Sequence, residues 1–208
     1  MPVTATAAVG LAALFDRLVA EPPARVHPVA LFGRFVAPAD RAWPAPTLVG
    51  TVVAVSLPLL ASGAVFGLVR GLRFSPALAA LTTGLVLFST TSLRLLTDEA
   101  RRVVTLSDDD LPAARTALRS LAGRDAGALS GSEIRSAAVE SLGENLADGL
   151  VAPLAAFALV APLSLPGAAA AATWVKAVNT LDSMLGYPHN PHGTASARLD
   201  DLTMWLPA

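Results

Sequence analysis

Charged residues are absent from three long stretches of the chain. These stretches are Ala42–Val69, Phe74–Leu93 and Gly149–Val175. Because roughly 20 apolar residues are needed for a helix to cross a bilayer, the pattern predicts membrane spans over 48–69 and 74–93. A tight turn carrying Arg70 and Arg73 separates the two. A chain of 208 residues is too short to enclose two such helices in a soluble shell.

The third stretch is interrupted by prolines. Pro153, Pro162 and Pro166 divide 149–175, and proline is costly inside a helix. The segment is therefore predicted to be either one kinked span or a re-entrant hairpin, which a membrane tolerates where protein or water covers the backbone. A full crossing would separate the polar residues on its two sides. We expect a break near Pro162–Pro166 that brings both ends together.

The N-terminal apolar run is shorter. Val3–Phe15 has only 13 residues before Asp16 and Arg17, which is too short to span unless the helix tilts or the two charges pair. The run lacks the basic start of a signal peptide and is followed by charged residues and prolines. It is therefore not predicted to be a cleaved leader or an ordinary span.

Composition agrees with an integral membrane protein. Hydrophobic residues make up 53% and charged residues 15%, with a mean hydropathy of +0.57, whereas a soluble domain carries about 25% charge. The absence of cysteine excludes disulfides, thiolate metal sites and thiol catalysis. A net charge of −1 gives no electrostatic case for binding nucleic acid. The predicted fold class is all-α: one polytopic membrane bundle over residues 1–208, with a polar helical cytoplasmic segment at 94–148.

The placement of arginine predicts the orientation. Residues 1–47 carry four arginines, residues 94–148 carry seven, and the turn after the first predicted span carries two. Loops rich in arginine stay on the cytoplasmic side of a membrane. We therefore expect a multi-pass protein of the cell membrane with both larger sets, and the active side, facing the cytoplasm.

Two helix starts are visible in the polar segment. The run Ser107–Asp110 followed by Pro112 is typical of a capped N-terminus. Ser130 and Glu133 have the spacing of a capping box. The helix that follows Ser130 is predicted to extend to Asp148.

Four carboxylates lie on one face of this last predicted helix. At 100° per residue, an arc of about 80° contains Glu133, Glu140, Glu144 and Asp148. Like charges four residues apart repel, so the face needs compensation by Mg²⁺, which prefers oxygen ligands, or by arginines. The alternative is a solvated acidic face, although the glycine and asparagine in this helix are poor helix formers.

A second polar group follows the third apolar stretch. Lys176, Asn179 and Ser183 form a polar stripe opposite an apolar one, with Asp182 at its edge. Ionisable residues at membrane depth are functional candidates by default. The alternative is a structural Lys176–Asp182 pair, with the amide and hydroxyl groups joining neighbouring helices.

Two further groups carry weaker signals. Arg198 precedes Asp200 and Asp201, whose side chains point to different faces of a helix, so one could bind a metal or substrate while the other pairs with Arg198. A surface ion pair is the alternative. Arg25 and His27 lie in a stiff proline-rich segment, where they could meet an anionic ligand or form a structural turn.

Together these groups resemble the CobD/CbiB family, the membrane-bound adenosylcobinamide-phosphate synthases of cobalamin biosynthesis. The matching motifs occur in the family's order over nearly the whole chain: Asp16, Glu21-Pro-Pro, His27-Pro28, Gly123-Arg124-Asp125, Val139-Glu140-Ser141-x-x-Glu144-Asn145-x-x-Asp148-Gly149, Val151-Ala152-Pro153, Lys176-Ala177-Val178-Asn179-Thr180-Leu181-Asp182-Ser183-Met184-x-Gly186-Tyr187 and Ala197-Arg198-Leu199-Asp200-Asp201. The Asn-Thr-Leu-Asp-Ser-Met run is the most specific of them.

The resemblance implies an ATP-dependent amide ligase. Its substrates would be a propionate carboxyl of adenosylcobyric acid and (R)-1-aminopropan-2-ol or the O-phosphate of that amine. ATP and Mg²⁺ are the implied cofactors. The lipid bilayer, and a second copy or other corrinoid-pathway enzymes, are the implied macromolecular partners.

The resemblance also suggests roles for individual residues, as hypotheses. The catalytic candidates are Glu140, Glu144, Lys176 and Asp182. The substrate-binding candidates are Arg25, His27, Arg124, Asn145, Asn179, Ser183 and Arg198. The metal-binding candidates are Glu144, Asp148 and Asp200.

Two other classes of function stay open. A secondary transporter would use intramembrane polar residues and a broken helix as its pathway, and a non-catalytic scaffold would hold other corrinoid enzymes at the membrane. Members of the family usually continue into more hydrophobic sequence after the Arg-Leu-Asp-Asp segment, whereas this chain ends at Ala208. We expect this difference to bear on the activity of the polypeptide.

Overall fold

The computed structural model describes residues 2–122, 126–187 and 190–205. Within these ranges the chain forms ten α-helices and no strand. The helices are α1 (Pro2–Val19), α2 (Pro28–Val36), α3 (Pro46–Gly71), α4 (Pro76–Thr90), α5 (Arg94–Asp109), α6 (Leu111–Ala122), α7 (Gly131–Leu146), α8 (Ala152–Val160), α9 (Leu165–Leu185) and α10 (Thr194–Met204). A 3₁₀ turn at Ala37–Ala39 follows α2, and a π-helical turn at Ala147–Val151 joins α7 to α8.

Four helical segments are long and apolar enough to cross a membrane. They are Pro2–Val19, Pro46–Gly71, Pro76–Asp109 and Gly131–Val160. The predicted all-α membrane bundle is therefore confirmed. Along α3, one side presents exposed Leu48, Val52, Val55 and Leu59, as expected for a helix whose surroundings are lipid.

The first helix corrects a sequence-based expectation. The apolar run was predicted to be too short to span, but α1 continues through Asp16 and Arg17 and has 18 residues. The Asp16 carboxylate accepts hydrogen bonds from the backbone N–H groups of Leu93 and Arg94, each at 3.2 Å. Its charge thus caps the start of α5, which is why the helix tolerates an acid near its end.

Helices α1 and α4 run parallel and in close contact. A Cβ atom on Gly84 would overlap the side chain of Leu11 and approach the backbone of Ala8. The glycine therefore lets the two backbones approach, as small residues do at helix crossings in membranes. Because Asp16 of α1 meets the residues that follow α4, both helices end on the same side of the bundle, which we call the site side.

The prolines of the third apolar stretch produce a helical hairpin. Helix α8 ends at Val160, and α9 begins at Leu165 after a four-residue turn. The Ser164 hydroxyl accepts a hydrogen bond from the Gly167 N–H and caps α9. The break lies where the proline pattern predicted it. Both ends of the hairpin return to the site side.

The polar segment 94–148 folds as a three-helix unit. Helices α5, α6 and α7 share a core that includes Val103, Leu118 and Ile134. The capping box of Ser130 and Glu133 is present, which confirms that prediction. The first predicted helix start needs a correction, because residues 107–109 still belong to α5 and only Asp110 caps α6, accepting from the Ala113 N–H at 3.0 Å.

Candidate active site

A local break in helical geometry places Asp148. Residue 153 is a proline and has no N–H to offer the carbonyl four residues earlier, which is that of Gly149. The Gly149 carbonyl instead accepts a hydrogen bond from the Ser92 N–H at 2.9 Å. The backbone around it widens into the π-helical turn Ala147–Val151. Such turns inside α-helices are frequent at functional sites, and this one carries Asp148.

The polar face of α9 meets this turn. The Asn179 side-chain amide donates a hydrogen bond to Oδ2 of Asp148 at 3.3 Å. Lys176 Nζ lies 3.5 Å from Oδ1 of Asn179 and interacts electrostatically with Asp148. The two ends of the hairpin therefore form one polar site, as the sequence argument required.

Helix α10 adds two carboxylates to the same site. Burial, together with the nearby carboxylates of Asp182, Asp148 and Asp201, raises the pKa of Asp200 to about 7, although a hydrogen bond from Asn179 lowers it. Among the described residues, Oδ1 of Asp200 is buried and has no hydrogen-bond partner. An unsatisfied buried carboxylate oxygen is costly, so this atom is suited to receiving a ligand.

The segment between α1 and α2 approaches the site from a fourth direction. Buried His27 accepts a hydrogen bond from the Val29 N–H at Nδ1, which assigns the ring proton of the neutral imidazole to Nε2. Nε2 lies 3.3 Å from Oε1 of Glu21. The histidine therefore fixes Glu21, and Glu21 interacts electrostatically with Lys176.

One cation thus faces several carboxylates. The electrostatic neighbours that act on Lys176 are Asp148, Glu21 and Asp200. Lys176 also lines an apolar cavity of about 440 Å³ between α2, α3, α4 and α9. The excess of acids makes the site attractive to a small cation, and the lysine can hold one anionic group of a larger ligand.

Most of the predicted acidic face of α7 lies away from this site. Glu133 is exposed and bonded within its capping box. Glu140 and Glu144 are also exposed, although Glu144 still acts electrostatically on Asp148. The predicted arc assumed 100° per residue as far as position 148, and the π-helical turn changes that spacing just before Asp148. The catalytic roles of Glu140 and Glu144 stay predictions.

Asn145 joins two helices of the polar unit through its side-chain amide. Its side-chain nitrogen donates to the carbonyls of Leu121, at 3.0 Å, and Ser141, at 2.8 Å. It thereby ties α7 to α6 and satisfies a carbonyl at the end of α6. Its role in substrate binding stays a prediction, and in that role the amide oxygen would contact the substrate.

Three other substrate-binding candidates lie at the surface. Arg25, Ser183 and Arg198 are exposed, and the Ser183 hydroxyl donates to the carbonyl of Asn179 at 2.9 Å. Arg124 falls outside the described residues. In the part of the chain that the structure describes, no contact assigns Arg25, Ser183 or Arg198 a role in substrate binding.

One site residue was missed as a candidate, and a second was only an alternative. Glu21 was assigned no function, whereas the sequence argument allowed either Asp200 or Asp201 to bind a metal or substrate and Asp200 was chosen. Spacing gives no signal for Glu21, because its approach to Lys176 spans more than 150 residues of sequence. Asp201 acts electrostatically on both Asp182 and Asp200, and its pairing with Asp200 was the available signal.

The family model described as CobD/Cbib protein matches residues 9–208. The chain belongs to the CobD/CbiB family. It is 36% identical to the probable cobalamin biosynthesis protein CobD of Methanothrix thermoacetophila, over 95% of this chain and 66% of that protein. It is 38% identical to the cobalamin biosynthesis protein CobD of Geobacter metallireducens, over 98% and 65%. The probable protein of that name from Pyrococcus abyssi is 35% identical, over 96% and 67%.

The chain spans about two thirds of the length of these CobD/CbiB relatives, 65% to 67% of each. No solved structure matches it. The site assembled from the π-helical turn, α9 and α10 lies within the matched region.

Proposed function

We propose that this chain acts in cobalamin biosynthesis as an amide ligase. It would join a propionate carboxyl of adenosylcobyric acid to (R)-1-aminopropan-2-ol or its O-phosphate. Family membership supports the pathway, and the convergence of Asp148, Lys176 and Asn179 supports the position of the reaction. The observation that carries the proposal is the Asn179–Asp148 hydrogen bond, which joins two family motifs separated in the sequence.

The acidic residues suit the amine substrate. An alkylammonium group is a small cation, and Asp148, Asp182 and Asp200, which act electrostatically on one another, would together attract it. Before it can attack a carboxyl carbon the ammonium must lose a proton. Asp200, with a pKa of about 7, is a fitting acceptor near neutral pH.

The same residues fit Mg²⁺ by their chemistry. The unpartnered oxygen of Asp200 and the carboxylate of Asp148 are hard oxygen ligands. No group of three His, Asp or Glu side chains in the described part of the chain could hold a metal ion unaided. Mg²⁺ usually keeps several waters and binds through one or two carboxylates plus substrate phosphates, so two carboxylates are sufficient. Glu144, also predicted as a ligand, lies further out at the surface.

Lys176 is suited to an anionic partner. ATP, when bound, would supply the activation that a carboxylate needs before an amine can displace oxygen from it. Lys176 is the only lysine in the chain and is partly buried beside Asp148. In our proposal its ammonium neutralises phosphate or carboxylate charge, with Glu21 and His27 holding it in place.

The site side is proposed to face the cytoplasm. It carries the polar segment 94–148, which contains seven of the fourteen arginines of the chain. ATP and corrinoid intermediates would then reach the site without crossing the membrane.

Feeding experiments test the proposal. An auxotroph that lacks the endogenous synthase and is given adenosylcobyric acid should grow with the wild-type chain and fail with Asp148→Asn or Lys176→Gln. Asp109→Asn, an exposed acid at the end of α5, is the matched control and should rescue fully. Equal amounts of each variant in the membrane fraction are required. Growth with both site variants would contradict a catalytic site here and favour a scaffold.

A transporter is the second candidate, because the π-helical turn and the hairpin break also resemble the discontinuous helices of carriers. Reconstituted protein distinguishes the two. The ligase consumes ATP only when corrinoid and amine are both present. A transporter moves solute across sealed vesicles without ATP consumption.

A further inference from the structure

A second concave surface lies on the site side, away from the carboxylates. It is a groove of about 790 Å³ between the end of α1, the α4–α5 junction and the start of α8. Its polar rim includes Asp16, Arg17, Arg94, Asp98 and Arg101. Its apolar floor includes Val9, Ala13, Leu150 and Leu154.

The rim carries an excess of positive charge. Asp16 is occupied by the backbone N–H groups at the start of α5. Asp98 is shared between Arg94, at 3.5 Å, and Arg101, at 3.7 Å. In the described ranges Arg17 has no carboxylate at ion-pair distance, and its side chain is exposed. The three guanidinium groups of the rim thus face two carboxylates, those of Asp16 and Asp98, and the excess of one positive charge favours an anionic ligand.

The groove is polar at its rim and apolar at its floor, as expected of a site at a membrane surface. The rim lies where α1 ends and where apolar α4 gives way to polar α5. The floor residues Ala13 and Val9 lie one and two turns before Arg17 on α1, toward the hydrocarbon. A ligand that covers both parts has an anionic head and an apolar tail. A nucleotide or free phosphate would leave the floor uncovered.

We propose that this groove binds one anionic phospholipid from the leaflet on the site side. Its phosphate would lie between Arg17 and Arg101, and one acyl chain would run along Ala13 and Leu154. Basic pockets between helices at a membrane surface bind acidic headgroups in this way. The site stands apart from the proposed ligase function and does not depend on it.

Lipid retention measured by native mass spectrometry tests the proposal. The full chain in a neutral detergent is titrated with dioleoylphosphatidylglycerol and, separately, with dioleoylphosphatidylcholine. Wild type should bind one phosphatidylglycerol preferentially. Arg17→Gln/Arg101→Gln should weaken this binding about 30-fold, because each arginine near an acidic surface contributes on the order of a factor of five. Arg70→Gln/Arg73→Gln, at the end of α3 and in the turn before α4, is the charge-matched control and should bind as wild type.

A steric variant separates a built groove from general surface charge. Ala13→Trp fills the apolar floor and leaves every charge in place, so it should also reduce phosphatidylglycerol binding. Val52→Trp, on the exposed side of α3, is its control. Asp98→Asn should strengthen binding by releasing two guanidinium groups. Equal binding of both lipids, equal losses in the two double-arginine variants, or displacement of phosphatidylglycerol by ATP would each overturn the proposal.

Discussion

The side-chain amide of Asn179 donates a hydrogen bond to the carboxylate of Asp148 across 31 positions of sequence. The two residues lie on either side of the α8–α9 hairpin, and the bond exists because the hairpin returns to the side from which it left. An amide is well matched to this position, since its nitrogen donates to Asp148 while its oxygen faces the Lys176 ammonium, 3.5 Å away. Asn179 therefore connects the acidic and basic halves of the site.

The first prediction concerns this connection. Asn179→Leu leaves the Asp148 carboxylate without its amide donor, and hydrogen bonds to charged groups contribute about 2 kcal/mol. We expect the variant to lose ligase activity and to unfold at a lower denaturant concentration in an SDS titration. Ser183→Ala removes an exposed hydroxyl one turn away and should change the midpoint little. A midpoint unchanged in Asn179→Leu would contradict the contribution of this bond.

The second prediction is a pH dependence of stability that arises from Asp200. Its pKa is about 7 in the folded protein and lies near the ordinary aspartate value of 3.8 in the unfolded chain. Between these values the folded state holds a proton that the unfolded state has released. Stability therefore falls as pH rises from about 4 to about 7, and the full loss is present above pH 7.

Asp200→Asn removes this dependence. Its melting temperature should equal that of wild type near pH 4 and exceed it increasingly up to pH 7, with a constant difference above. Thermal unfolding in detergent over this range measures the effect. Asp109→Asn should show no such trend. A difference that shrinks as pH rises would show that Asp200 is not held in its protonated form.

The third prediction concerns divalent cations. Mg²⁺ binds the ionised form of a carboxylate, so it should raise the melting temperature of wild type at pH 8 by binding only the folded protein. The rise should depend on Mg²⁺ concentration and should be lost in Asp200→Asn and in Asp148→Asn. Na⁺ at equal ionic strength is the control for screening. An equal rise in wild type and both variants would exclude these residues as the Mg²⁺ site.

Local signals in the sequence predicted much of the fold. The capping box of Ser130 and Glu133 involves residues three positions apart, so the spacing alone determines it. The hairpin followed from prolines and from the requirement that two polar groups meet. The extent of α1 did not follow, because the use of Asp16 as a cap for α5 depends on a contact 77 residues away.

The site was predictable only in part, for similar reasons. Asn179 and Asp148 were singled out by type and motif, and the topology brings them together. The position of Glu144 was extrapolated from ideal helix geometry, which the π-helical turn interrupts. Glu21 depends on a tertiary contact and on His27, whose ring orientation is set by the start of α2. Residue spacing in the sequence predicts neither the π-helical turn nor the tertiary contact of Glu21.

The fourth prediction tests the origin of that π-helical turn. Pro153→Ala restores an N–H that can bond to the Gly149 carbonyl, which accepts a hydrogen bond from the Ser92 N–H. The segment should relax toward a regular α-helix and rotate Asp148 away from Asn179. Because a regular helix gains a hydrogen bond, we expect thermal stability to be kept or raised while ligase activity falls sharply. Pro162→Ala, in the turn between α8 and α9, is the control and should keep activity. Full activity in Pro153→Ala would mean that the carboxylate of Asp148 does not need the turn to reach its partners.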